Sequence, residues 1–278
     1  ILDLLARLRW RLDYPNPKHR QAAIDDSHLP LAHYRRAATM LRTRVEAKDG
    51  AAVIQSLELL VNLPPLLVLS LPLVTGYRPF NILGICVRTG CLLLNLRTLF
   101  PHRAQPPMAT AHLFKVSGDI VVLPLPVFLA EEIQRRSQIY PQAVLLGDLV
   151  DWVRVDPRNS LIPHESCKLH ASLARASKST GAISLALGND RLVSACLTTD
   201  FSLIGSARMY YARLTGREIH TGCTRLYGGM GWGIPTMEAD HLPPLGSRAS
   251  LHLDGVKHLF SALAEAVTAS LPGRNAHA

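Results

Sequence analysis

The stretch of this chain that most limits its fold is residues 57–75, "LELLVNLPPLLVLSLPLVT", an apolar run of about the length that spans a membrane. It carries Glu58 and Asn62, and it is interrupted by Pro64, Pro65 and Pro72. Adjacent prolines remove backbone donors and break a helical ladder where lipid offers no substitute partner. The run therefore reads as a buried helix of a protein core, starting near Pro64, and not as a membrane span. At its end a Thr-Gly turn delivers Arg78, a cation held at the exit of a core element.

Charge explains why such a cation would be wanted. The chain has 278 residues, with 30 Lys+Arg against 21 Asp+Glu, a formal net charge of +9 and a pI near 9.6. Most of the positive charge is Arg, whose planar fork suits phosphate. A basic balance points to a polyanion, nucleic acid first and acidic membrane second. Hydropathy supports a sizeable core and excludes wholesale disorder. The five cysteines, Cys86, Cys91, Cys167, Cys196 and Cys223, form no CxxC pair and read as buried thiols of a reducing compartment. Neither His164, His220 and Cys223 nor any other set has metal-ligand spacing. "YGGMGWG" lacks the GK[ST] ending of a phosphate loop and reads as a turn before the tail.

The expected organisation is a basic helical segment over 1–48, a main domain over 49–215, and an extension over 216–278 with a loop and a terminal amphipathic helix. The opening "ILDLLARLRWRLD" reads as the middle of a helix, so the chain is expected to be part of a longer protein, and it shows no basic-then-apolar leader. Helix predominates from "AAVIQSLELLVNL" to Thr75, while "NILGICVRTGCLLLNLRTLF" fits helix or strand. "AHLFKVSGDIVVLPLP" reads as a hairpin turning at "SGD", and "VFLAEEIQRRSQIY" as a helix with acids early and arginines late. The predicted class is mainly α with a small antiparallel β-hairpin or sheet, an α+β chain.

Four segments stand in a telling order. "TGYRPFNIL" holds Arg78, "FKVSGDIVVLPLPVFLAEEI" holds Lys115, "SLARASKSTGAISLAL" holds Arg175, and "SARMYYARL" holds Tyr210 and Tyr211. Together, over roughly residues 50–215, they resemble the catalytic domain of tyrosine recombinases, the phage integrase family. The family's boxes are a TG-x-R turn, a hairpin lysine followed by a VPLP stretch, an HxxR helix, and a nucleophilic tyrosine some thirty residues later. Three places depart from the pattern, the first being Thr198 and Thr199, near which the family's second His or Trp of an LGH motif is missing. Ser172 stands at the HxxR histidine, with His170 two residues before it, and Asn81 replaces the glutamate after the first arginine.

The resemblance implies a recombinase-like fold and a site made of Arg78, Lys115, Arg175 and Tyr210, with Tyr211 as second choice for nucleophile and His170 as a weaker phosphate ligand. It implies double-stranded DNA as partner, a homo-oligomer (a tetramer on DNA) or other recombinase subunits, no cofactor or metal, no membrane, and a cytoplasmic place, serving a mobile element. The implied chemistry is consistent. A phenol is a poor nucleophile at neutral pH. Two guanidiniums fixed on the phosphate would take up the charge that grows on its oxygens. A lysine would protonate the leaving 5′-oxygen. A catalytically inactive DNA-binding or assembly subunit that keeps the fold is the alternative.

Overall fold

The structure is a computed structural model, and it describes residues 29–76, 82–96, 108, 112, 118–150, 173–200, 213–233, 245–246 and 253–270. Its first described helix, α1 (Leu31–Glu46), buries Tyr34, Ala37, Ala38, Leu41 and Val45. Their three-to-four spacing is one apolar stripe, with arginines on the remaining surface. After a short turn Asp49 starts α2 (Gly50–Val61), its carboxylate accepting from Ala51 N–H (2.9 Å) and Ala52 N–H (3.4 Å). Every residue of α2 from Ala52 to Val61 is buried. A helix apolar on all sides has to be covered on all sides, and α2 is wrapped by α1 and by elements introduced below.

Asn62 ends α2 in the left-handed conformation (φ 50°), and Pro64 leads into the short α3 (Pro65–Leu69). The buried helix thus lies before the prolines and not from Pro64 onward as expected; α3 leaves Leu66 and Leu67 exposed. Nor is the apolar run helical to Thr75, because Leu73–Val74 form a strand, β1. Pro72, one residue earlier, has no N–H to continue a helix.

Four strands form one sheet in the order β1-β2-β3-β4, with β2 (Leu83–Cys86), β3 (Cys91–Asn95) and β4 (Ile120–Pro124). The ambiguous segment after Arg78 is therefore a hairpin, turning at Val87–Gly90. The sheet is mixed and not antiparallel throughout, since β1 runs parallel to β2 while β2, β3 and β4 are antiparallel. The partner of β4 among the described strands is β3. The first run of the expected "SGD" hairpin, residues 113–117, lies outside the described residues.

Alternation along β3 sorts its side chains. Leu92 and Leu94 enter the main core, while Cys91 and Leu93 join a smaller cluster with Val74, Cys86 and Val122. Past Pro124 the chain enters α4 (Val127–Ile139), then a 3-10 turn (Leu146–Leu149). There follow α5 (Leu173–Ala186), α6 (Arg191–Thr198), β5 (Arg213–Leu214) and α7 (Gly216–Met230). β6 (Leu245–Gly246) pairs antiparallel with β5, and α8 (Leu253–Ser270) is the last described element.

The four helices α4–α7 pack with α1 and α2 around the main core. In α7, Ile219, Cys223, Leu226, Tyr227 and Met230 enter that same core. The turn expected over "YGGMGWG" comes only at Gly231 (φ 74°), with Tyr227–Met230 still helical. Trp232 Nε1–H then donates to Ala38 O (2.9 Å), and Arg35 and Arg42 donate to the carbonyls of Gly229 and Gly231. Two arginines of the basic helix α1 are thereby engaged by the carboxyl end of α7, where a cation is favoured. Among the described residues no helix is long and apolar enough to cross a membrane.

Candidate functional site

Of the residues singled out in the sequence, Arg78, Lys115, His170, Tyr210 and Tyr211 lie outside the described residues. Arg175 is described, on the first turn of α5 and half-buried. No two members of the expected constellation are brought together among the described residues. The site can be built from Arg175 and from the elements that hold it.

The helix carrying Arg175 is fixed by hydroxyls. A helix leaves its last carbonyls without intrahelical donors, and α5 supplies donors to the end of α2. Ser177 Oγ–H reaches Glu58 O (2.6 Å) and lies 3.2 Å from Asn62 Oδ1. Thr180 Oγ1–H donates to Leu59 O (2.7 Å), which leaves the Tyr34 hydroxyl to donate to Thr180 Oγ1 (2.8 Å). Thr199, just past α6, donates to Val61 O (2.8 Å). On the turn of Arg175 itself, Ser179 Oγ donates to Arg175 O (2.8 Å) and accepts from Leu29 N–H (2.7 Å). Arg175 therefore rises from a backbone tied to α2 and to the start of α1. A guanidinium has the planar donor fork that gives bidentate, charge-assisted bonds to an anionic oxygen pair.

Two buried glutamates flank this framework, and the sequence reading assigned neither a role. Glu58 is only 7% exposed, and among the described residues its Oε2 accepts no hydrogen bond. Burial pushes its carboxyl from 4.5 up to about 7. On the same helix Gln55 Oε1 accepts from Arg44 Nη1 (2.8 Å). Glu132 of α4 is the opposite case. Its side chain is 1% exposed, yet Arg135 Nη2 and Arg136 Nε (both 2.7 Å) and Lys48 Nζ (3.1 Å) donate to it. Burial works to raise this carboxyl, but the bonds from Arg135, Arg136 and Lys48 outweigh it and hold it down at about 2. Arg136 continues to Leu149 O (3.0 Å) and Lys48 O, tying α4 to the 3-10 turn and to the α1–α2 connection. The signal for both was present in the sequence, as a lone acid inside an apolar run and an acid spaced three and four residues from arginines.

No family model matches this chain, and no curated protein or solved structure matches it either.

Proposed function

We propose that this chain is a site-specific DNA strand transferase of the tyrosine recombinase type, serving a mobile element. The observation that carries the reading is the order of the four boxes, 78, 115, 175 and 210, with the Arg175 box on a helix whose backbone is pinned at Ser177, Ser179 and Thr180. The passage from strand β4 through Leu125 and Pro126 directly into α4 agrees with the expected exit of the lysine hairpin into a helix.

In this reading the Tyr210 phenolic oxygen attacks a DNA phosphorus and gives up its proton to solvent, and the 5′-oxygen leaves with a proton from Lys115. A 3′-phosphotyrosyl link results, which a 5′-hydroxyl later attacks to rejoin the strand. Arg78 and Arg175 hold the non-bridging oxygens, and His170 assists them. Bond energy is conserved in the ester, so the step balances without a nucleotide. The partners are double-stranded DNA and further copies of the chain, and the setting is the cytoplasm. A second reading, an inactive recombinase-like DNA-binding or assembly subunit, draws on Ser172 in place of histidine and Asn81 in place of glutamate.

The test uses a library of nicked, random-sequence duplexes and scores DNA adducts that survive detergent. The wild type is expected to form an adduct; Tyr210→Phe should abolish it and leave DNA binding intact, and Tyr211→Phe should retain it. Binding without any adduct from the wild type would favour the second reading. Absence of both binding and adduct would sink the two together.

A further inference from the structure

The hairpin of β2 and β3 sets Cys86 directly opposite Cys91. Opposed residues of an antiparallel pair share one face, and both thiols lie in the smaller cluster with Val74, Leu93 and Val122. Both are free and buried. Asn95 N–H donates to Ile82 O (2.7 Å) in this same register, and by alternation the pair 86/91 is also of the hydrogen-bonded kind, for which Cα atoms stand about 5.5 Å apart. A disulfide accepts Cα separations of about 4.4–6.8 Å, though it draws Cβ atoms to about 3.8 Å, so closure needs only a small approach of the strands. The turn between the two cysteines is exposed at Arg88 and Thr89. Local opening of that turn would give a reagent access to the sulfurs. Cys196 and Cys223, on α6 and α7, have no such cross-strand partner. Neither hairpin cysteine has a role in the strand-transfer reading.

We propose that Cys86 and Cys91 are a cross-strand dithiol that closes to a disulfide when the chain meets a small-molecule disulfide, stapling β2 to β3. One cysteine thiolate attacks the reagent and expels the first small thiol, leaving a mixed disulfide. Its neighbour's thiolate then attacks the protein sulfur and expels the second. Two protein thiols are oxidised, one reagent disulfide is reduced to two thiols, and the two protons pass to those thiolates.

The experiment treats the folded, full chain with oxidised glutathione and reads intact mass and linked peptides after alkylation. The expected result is loss of two hydrogens, mapped to a Cys86–Cys91 link, with almost no glutathione retained at either position. Cys86→Ser and Cys91→Ser, each lacking the second thiol, should retain the adduct at the remaining cysteine, about tenfold or more above wild type, because an intramolecular partner acts at about millimolar effective concentration or higher. The wild-type map stands by itself should a variant fail to fold. The proposal is overturned if Cys86 and Cys91 stay free under conditions that oxidise the urea-unfolded chain. It is equally overturned by a stable glutathione adduct on either, or by a link to Cys167, Cys196 or Cys223.

Discussion

Two glutamates show how environment alone reverses the behaviour of one side chain. Glu58, with no cation bonded to it among the described residues, is pushed up to about 7 by burial, whereas Glu132, bonded to three, is held down at about 2. The ordinary value is 4.5 for both. By linkage, the folded state holds the Glu58 proton more tightly than the unfolded state does, so its contribution is full below 4.5 and is lost as pH rises through 7. Glu132 works the other way; its contribution is present above 4.5 and is lost as pH falls toward 2. Urea unfolding across this range should therefore show the Glu58→Gln variant gaining on the wild type as pH rises from 5 to about 8. An unchanged difference between the two proteins across that range would remove Glu58 from the account. Replacing Glu132 by Ala should destabilise the fold by about 3 kcal/mol at neutral pH, since three cations lose their shared carboxylate.

At the level of elements, the decisive features are where segments stop. Asn62 and Pro64 end α2, Pro72 forces the run out of helix, and Gly90 closes the β2–β3 hairpin at φ 62°. A Cβ built on Gly90 comes 2.6 Å from Ala130 Cβ on α4. Gly90→Ala meets both a backbone conformation that side chains disfavour and a fixed neighbour, and it should destabilise by about 2 kcal/mol or more in a denaturant melt. A loss under about half a kcal/mol would mean that α4 can give way there. The stop signals at the prolines were legible in the sequence, yet which side of them the buried helix lay was not. The flank after the prolines is if anything the more uniformly apolar, and only the fit of α1 and α5 around 52–61 decides which becomes the centre. The hydroxyl seam that holds Arg175 was invisible for a related reason. Ser177, Thr180 and Thr199 read as ordinary helix polar residues until the carbonyls they serve, more than a hundred positions away, are known.

For the molecule as a whole, α8 stands out among the described residues for the apolar side chains it exposes. Leu259, Phe260, Leu263 and Val267 form a stripe along it and are all exposed, Phe260 at 67%. An exposed apolar stripe of this kind suits burial against a second copy, which agrees with the proposed assembly of several copies. Sedimentation of the full chain at micromolar concentration should show species heavier than 30.5 kDa, and the double substitution Phe260→Asp, Leu263→Asp should return it to monomer. A wild type already monomeric would remove α8 as an assembly element.

The sequence by itself determined the broad class, a mainly helical chain with a small sheet, along with the amphipathic stripes of α1 and α8 and the breaks at the prolines. These depend on local sterics and on the spacing of apolar residues, which a single chain segment carries within itself. The parallel pairing of β1 with β2, the extension of α7 to Met230 and the opposite fates of Glu58 and Glu132 were decided only by the tertiary structure. Each depends on what a distant segment places alongside: a strand edge, a pair of arginines at a helix end, or three cations within hydrogen-bond reach of one carboxylate and, among the described residues, none bonded to the other.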